Sequence, residues 1–112
     1  DRTLRYFEAP NILAFALKGG DPGAFAHLRV FTPAYGVVEE SASETASGPL
    51  VGYALRHGLG RLPESRPVVL RQGDEIGRPS ALHVSVELTD DRIDQLRVGG
   101  QCALIGEGTI FV

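Results

Sequence analysis

The sequence lacks methionine and tryptophan altogether, and it contains a single cysteine, Cys102. A lone cysteine cannot form an internal disulfide, and neither it nor any of the three histidines stands at metal-ligand spacing from another ligand. We therefore expect no metal site, and we expect Cys102 to be a small buried hydrophobic residue. Because translation starts with methionine, the beginning at Asp1 leads us to expect a trimmed, processed or incompletely represented N-terminus.

Long apolar runs and an excess of charge of one sign are missing as well. The longest apolar stretch, Ile12–Leu17, is far shorter than the roughly 20 residues that cross a bilayer, so we expect no membrane span. A net charge of -3 spread over both signs argues against a nucleic-acid partner. No phosphate loop, dinucleotide fingerprint or nucleophile elbow occurs, and no signal-peptide pattern opens the chain. These absences predict a protein without a cofactor in a cytoplasmic setting.

The composition that remains is that of an ordinary globular domain. With 43% hydrophobic residues, the 112-residue chain can build one modest core. Fourteen glycines and seven prolines divide it into short pieces, most of which alternate like β-strands, and Leu82, Val84 and Val86 mark the clearest inner face. The strands predicted from these pieces are residues 4–7, 12–17, 27–31, 68–72, 81–88, 96–98, 103–105 and 109–112, with turns at 19–24, 73–77 and 106–108.

A helix is predicted where the apolar period changes from two to about three and a half. Ser43 is the expected N-cap, Glu44 suits the first turn, and Gly58 is the expected left-handed C-cap. The face expected to be buried consists of Ala46, Leu50, Tyr53 and Ala54. A helix with this much apolar surface should be surrounded, so the sequence predicts the α+β class, with an antiparallel sheet curled around one central helix.

The loop expected before this helix is rich in carboxylates and hydroxyls from Glu39 onward. A helix N-terminus exposes unpaired N–H groups and a partial positive charge, so it suits a bound carboxylate, and a neighbouring carboxylate could exchange protons. The alternative is a self-satisfied cap, in which Ser43 or Glu44 occupies these N–H groups and nothing else binds. Residue types and spacing leave both interpretations open.

Three stretches carry a resemblance to a known family: residues 30–50 (VFTPAYGVVEESASETASGPL), 72–80 (QGDEIGRPS) and 98–112 (VGGQCALIGEGTIFV). Together they resemble the PhzF family of phenazine-biosynthesis isomerases, which is related in fold to diaminopimelate epimerase. The resemblance implies two similar domains, each a sheet around a central helix, with the active site between them. It implies that residues 1–112 are a C-terminal PhzF-like domain, the later part of the second domain, incomplete without upstream residues or a partner chain. The family's principal catalytic glutamate has no counterpart here.

The resemblance also implies which residues form the site. The family's motif aspartate falls on Glu40, its threonine on Ser43, its glycine on Glu44 and its serine on Thr45. Glu40 and Thr45 are then expected to be catalytic, and Ser43, Glu44 and Ala46 to bind substrate. Glu44 adds a negative charge where the family has glycine, and a like charge about 4 Å from a substrate carboxylate costs on the order of 4 kcal/mol at an effective dielectric of 20.

Two functions are consistent with this resemblance. In the first, the chain is part of a PhzF-like isomerase that acts on a small cyclic carboxylic acid by cofactor-free proton transfer and needs a first domain from elsewhere. In the second, it is a catalytically inactive PhzF-like domain that serves as a small-molecule-binding or assembly module. A piece of a larger protein without activity of its own is a third possibility. In each case we expect a companion chain or a second copy to complete the domain.

Overall fold

The structure of the protein, a computed structural model, describes residues 9, 11–17, 22–63 and 66–112. The predicted strand at residues 4–7 and part of the predicted turn at 19–24 lie outside the described residues. The described part contains one α-helix and a six-stranded sheet. In chain order the elements are β1 (Ile12–Leu17), β2 (Ala26–Thr32), β3 (Val37–Glu40), α1 (Glu44–Arg56), β4 (Val68–Gln72), β5 (Ser80–Thr89) and β6 (Arg92–Gly100).

The strands form one mixed sheet in the order β1-β2-β4-β5-β6, and β3 also pairs with β2. All pairs are antiparallel except β2 and β4, which run parallel. The prediction of a wholly antiparallel sheet is therefore wrong at this pair. The physical reason is the helix between the two strands: parallel neighbours need a long crossover connection, and α1 supplies it.

The core lies between the sheet and one side of α1. In β2 the burial alternates strictly, with Ala26, Leu28 and Val30 buried, which confirms the period-two prediction for this strand. The same holds for Leu82 and Val84 in β5. The buried core residues are Ala26, Leu28, Val30, Leu50, Val51, Val68, Leu70, Leu82 and Val84.

Helix α1 packs its small residues against the last two strands. A Cβ added at Gly48 would lie 2.7 Å from Cδ2 of Leu96, so glycine permits the close approach of helix and β6. Tyr53 was expected on the buried face, but it is 50% exposed. On this side of α1 the ring of Tyr53 meets the ring of Phe15 in the edge strand β1 edge-on, with centroids 6.3 Å apart, and this contact covers it only in part. The expectation of full burial was therefore wrong.

Both helix ends lie where the sequence predicted them. Ser43 is the N-cap residue and Gly58 follows the C-cap with a positive φ of 62°. The N–H of Gly58 donates to the carbonyl of Leu55 (3.2 Å), and the N–H of Leu59 donates to that of Ala54 (2.8 Å). This pair of bonds is a Schellman motif, which satisfies the last carbonyls of the helix.

The C-terminal segment differs from the prediction. Residues 101–112 contain no strand and are exposed throughout, so the predicted strands at 103–105 and 109–112 and the hairpin between them do not form. Cys102 lies in this segment and is exposed, so its predicted burial was also wrong. A two-stranded hairpin is marginal in water unless it packs on something, and apolar side chains such as Ile105 and Phe111 contact no apolar surface within the described residues. β6 is longer than the predicted strand at 96–98 because its ladder with β5 runs from Arg92 to Gly100.

Among the described residues, no helix combines the length and the apolar character that crossing a membrane requires.

Candidate functional site

The candidate site lies where β3 ends and α1 begins. The sequence predicted a loop from Glu39 onward, but Glu39 and Glu40 belong to β3, where Val30 pairs with Glu40 and Thr32 with Val37. The β-branched Val37 and Val38 favour this short strand. The connection to the helix is therefore only residues 41–43, and the carboxylates are fixed by the sheet rather than by a loop.

Glu39 forms an ion pair with Arg29 of the neighbouring strand. Nε of Arg29 donates to Oε1 at 2.9 Å and Nη2 donates to Oε2 at 2.7 Å, a two-pronged arrangement. The Glu39 side chain is only 6% exposed. The hydrogen bonds from Arg29 lower the pKa of Glu39 below the ordinary value of 4.5 although burial opposes this, and they raise the pKa of Arg29. Glu39 is therefore held as a structural anion.

Glu40 is placed differently from its neighbour. Residues paired across a ladder project to the same face, so Glu40 shares the face of the buried Val30, toward α1. The residue is half-buried, and no hydrogen bond or ion pair to another described residue engages its carboxylate. Its backbone carbonyl accepts a hydrogen bond from Nε2 of Gln72 at 2.8 Å. Of the Glu39 and Glu40 carboxylates, that of Glu40 has no partner among the described residues, so it is the one available to a ligand.

The N-terminus of α1 is not closed by its own cap residue. Ser43 is 4% exposed, and its Oγ lies 3.2 Å from Oγ1 of Thr45 instead of accepting from a backbone N–H. Its carbonyl accepts from both the N–H (3.1 Å) and the Oγ (2.7 Å) of Ser47. No side chain of a described residue caps the N–H groups of Glu44, Thr45 and Ala46. The sequence left open whether Ser43 or Glu44 caps these N–H groups with its own side chain. Among the described residues, no such cap forms.

The structure brings the remaining predicted residues to this helix end. Thr45 is exposed and its hydroxyl contacts that of Ser43. Glu44 is exposed as the first helical residue, and Ala46 is half-buried against the core. Ser43 differs from the rest because it is buried, and its role in binding stays a prediction.

Gln72 is a site residue that sequence reasoning missed. Its side chain is fully buried, its Nε2 donates to the Glu40 carbonyl, and its Oε1 accepts from the Ser43 backbone N–H at 3.1 Å. A signal was present in the sequence: period two along β4 puts Gln72 on the same face as Val68 and Leu70. A polar residue at an inward position must find partners, and here they are the two ends of the connection.

The next residue, Gly73, lies directly against the same connection. It has a φ of +86°, and an added Cβ would lie 2.6 Å from the Ser41 carbonyl oxygen and closer still to that of Arg78. Glycine is therefore required here for two reasons, the left-handed backbone and the backbone contact.

A concavity lies at the opposite end of β2 and β4. It encloses about 1260 Å³ and is lined by residues such as Phe25, Arg61, Arg66 and His83. Its lining residues include neither Glu40 nor the first turn of α1, so it is separate from the candidate site.

Comparison with known proteins identifies the family. The family model described as phenazine biosynthesis-like protein matches residues 2–108. The chain belongs to the PhzF family. This PhzF-like chain is 42% identical over 111 residues to a trans-2,3-dihydro-3-hydroxyanthranilate isomerase of Pseudomonas fluorescens, covering 99% of the chain and 38% of that protein. Identity to the protein of the same name from Pseudomonas chlororaphis is 40% over 111 residues, with the same coverage of 99% and 38%. An uncharacterized isomerase of Deinococcus radiodurans is 34% identical over 83 residues, which are 71% of the chain and 26% of that protein.

The PhzF-like chain thus spans less than two fifths of the length of the isomerases it matches. The family membership confirms the resemblance seen in the sequence.

Proposed function

We propose that this chain is part of a PhzF-like isomerase that moves a proton within a small cyclic carboxylic acid. The observation that carries the proposal is the pairing of an uncapped helix N-terminus with a carboxylate, Glu40, that no described residue engages. The Pseudomonas relatives are named for isomerisation of trans-2,3-dihydro-3-hydroxyanthranilate, which is a compound of this class.

The two parts of the site have complementary chemistry. The N–H groups of Glu44, Thr45 and Ala46, with the Thr45 hydroxyl, would hold the substrate carboxylate in the partial positive field of the helix. Glu40 would act as an acid, a base or an orienting carboxylate. In the isomerisation a base removes a proton from one carbon, and the C–H electron pair forms a new double bond to the adjacent carbon. The π pair of the existing double bond then takes up the proton at another carbon. Nothing is oxidised or lost, and no cofactor is needed for the balance.

Glu44 decides how well an anion is tolerated. At about 4 Å a like charge costs on the order of 4 kcal/mol at a dielectric of 20 but only about 1 kcal/mol in bulk water. The Glu44 side chain is exposed and can turn into solvent. Because Glu44 is exposed, we expect it to weaken the binding of a carboxylate without abolishing it.

A second candidate function follows from the same residue. If Glu44 turns toward the helix end, it attracts cations, and the chain then serves as a binding module without turnover. Titrations with benzoate and with benzylammonium separate the two functions. Preferential binding of benzoate supports the isomerase, and preferential binding of benzylammonium supports the binding module.

The proposed enzyme requires a further domain, from a companion chain or from a second copy, in a diaminopimelate epimerase-like arrangement around the site. Support comes from apolar residues that the described part leaves uncovered. Tyr53 on α1 is half exposed, and Leu104, Ile105 and Phe111 are at least 80% exposed. Adjacent exposed apolar residues such as Leu104 and Ile105 are typical of a segment that packs on another surface. A cytoplasmic location stays a prediction from the sequence.

The test is an isomerase assay by complementation. The chain is mixed with the part of the Pseudomonas fluorescens isomerase that it does not match, and trans-2,3-dihydro-3-hydroxyanthranilate is followed by NMR in heavy water. We expect no turnover by the chain alone, turnover and deuterium incorporation in the mixture, and loss of both in Glu40→Gln. The matched control is Glu87→Gln, which removes an exposed carboxylate on β5. Full turnover by Glu40→Gln would exclude Glu40 as the acid or base.

A further inference from the structure

The buried side-chain amide of Gln72 bonds to both ends of the connection between β3 and α1. Its Nε2 donates to the Glu40 carbonyl oxygen at 2.8 Å, and its Oε1 accepts from the Ser43 backbone N–H at 3.1 Å. We infer that Gln72 is a positioning residue, which sets the Glu40 carboxylate relative to the first-turn N–H groups of α1. The inference rests on the proposed function, because it concerns the site in which those groups would act.

The amide is itself held firmly. Gln72 is the last residue of β4, where it pairs with Leu28 in β2 and with Ser80 in β5. It is 0% exposed. Because strands on both sides fix its backbone and packing fixes its side chain, the position of the connection is determined by the middle of the sheet. A site supported in this way keeps its geometry better than one held only by a loop.

The chemistry of the contact requires a neutral amide. One partner is a carbonyl that needs a donor and the other is an N–H that needs an acceptor, and a carboxamide provides both. A lysine or an arginine offers donors alone, and an ionised carboxylate offers acceptors alone. Gln72 fixes the connection without adding a charge to the site.

Gly73, the residue after Gln72, lies against the backbone of the same connection, residues 41–43. The Ser41 carbonyl oxygen lies where an added Cβ of Gly73 would come within 2.6 Å of it. Two successive residues at the end of β4 therefore shape the connection, one by hydrogen bonds and the other by leaving room for its backbone.

Hydrogen exchange tests the contact in the full chain. Gln72→Met keeps an unbranched side chain of similar length and removes both hydrogen-bonding groups. We expect the Ser43 N–H to exchange about tenfold faster relative to the backbone amides of β5. The matched control is Leu70→Ala, a change on the same face of the same strand at a residue that is also 0% exposed. It weakens the core without touching the amide contact, so it should speed exchange at Ser43 and in β5 alike.

Turnover in the complemented isomerase tests the consequence for the site. With rates expressed per folded molecule, we expect kcat of Gln72→Met to fall by about 10- to 100-fold, since a misplacement of about 1 Å can cost this much. Leu70→Ala should keep kcat and KM per folded molecule near those of the unmodified chain. If Gln72→Met does not fold, Gln72→Asn, which retains the amide but is one methylene shorter, should show the same changes in weaker form.

The outcomes separate the inference from the proposed function. The positioning role is wrong if, in Gln72→Met, exchange of the Ser43 N–H speeds up only as much as exchange of the β5 amides. It is also wrong if kcat per folded molecule is unchanged in Gln72→Met. Absence of turnover in the unmodified mixture refutes the proposed function, and the exchange of Ser43 then decides alone whether Gln72 fixes the connection.

Discussion

Replacement of Gly73 by alanine should be among the most damaging single-methyl additions in this chain. The residue has a φ of +86°, a region that costs an L-amino acid about 1–2 kcal/mol. The new Cβ would also lie 2.6 Å from the Ser41 carbonyl oxygen, and backbone atoms cannot swing aside as a side chain can. Overpacking of this kind costs about 1–3 kcal/mol. We expect Gly73→Ala to lower the free energy of unfolding by about 2–5 kcal/mol, taken as the sum of the two effects.

The same turn contains a matched control. Gly77 has a φ of +69°, but an added Cβ would meet no atom within 4 Å. Gly77→Ala should therefore show the backbone cost alone, about 1–2 kcal/mol. Urea unfolding followed by circular dichroism measures both variants against the unmodified chain. If the two variants agree within about 0.5 kcal/mol, which is the usual spread of neutral surface changes, the contact between residue 73 and the Ser41 carbonyl has no energetic weight.

Three further predictions follow from burial and charge. Because the pKa of Glu39 is lowered in the folded chain, its ion pair with Arg29 stabilises the fold above the ordinary value of 4.5 and ceases to do so as the pH falls through the lowered pKa. Glu39→Gln should thus be destabilising at pH 7 and indistinguishable from the unmodified chain in strong acid, as measured by urea unfolding. Leu70→Ala should cost about 2–5 kcal/mol because the side chain is fully buried, whereas Leu88→Ala, at 51% exposure, should cost under about 1 kcal/mol. Cys102 is exposed, so it should react with a thiol reagent in the native chain as fast as in urea; a reaction seen only in urea would mean that residues 101–112 are covered.

The predictions from the sequence were correct where a single physical effect determined the local structure. Strict alternation decided β5, because Leu82 and Val84 can be buried only if His83 faces outward. The helix ends were predicted because Gly58 can take a positive φ at little cost, and a Schellman motif needs such a residue. Family resemblance then predicted a site on residues that composition alone had left as either a cap or a binding site, and this assignment stays a prediction.

Predictions failed where the outcome depended on distant partners. Cys102 and the residues after it have a strand-like pattern, but a pattern does not supply the surface on which a strand must pack. Tyr53 has the right helical spacing for the core, yet it meets the sheet at the edge strand β1, through Phe15, and half of it stays exposed. Gln72 was overlooked for the converse reason: its partners, the Glu40 carbonyl and the Ser43 N–H, are far from it in sequence.

Two adjacent glutamates show how the fold divides chemistry between residues of one type. The pairing of β3 with β2 is irregular, but Glu40 pairs with the buried Val30 whereas Glu39 bonds to Arg29, the adjacent residue of β2, so the two glutamates lie in different environments. Arg29 stands beside Glu39 on one side and holds it ionised. Glu40 lies on the other face of the sheet, toward α1, and its carboxylate has no such partner within the described residues. A shift of β3 by one residue would exchange the two roles, and the hydrogen bond from Gln72 to the Glu40 carbonyl opposes that shift. The register of this short strand, more than the presence of either carboxylate, therefore decides which glutamate is available for the proposed proton transfer.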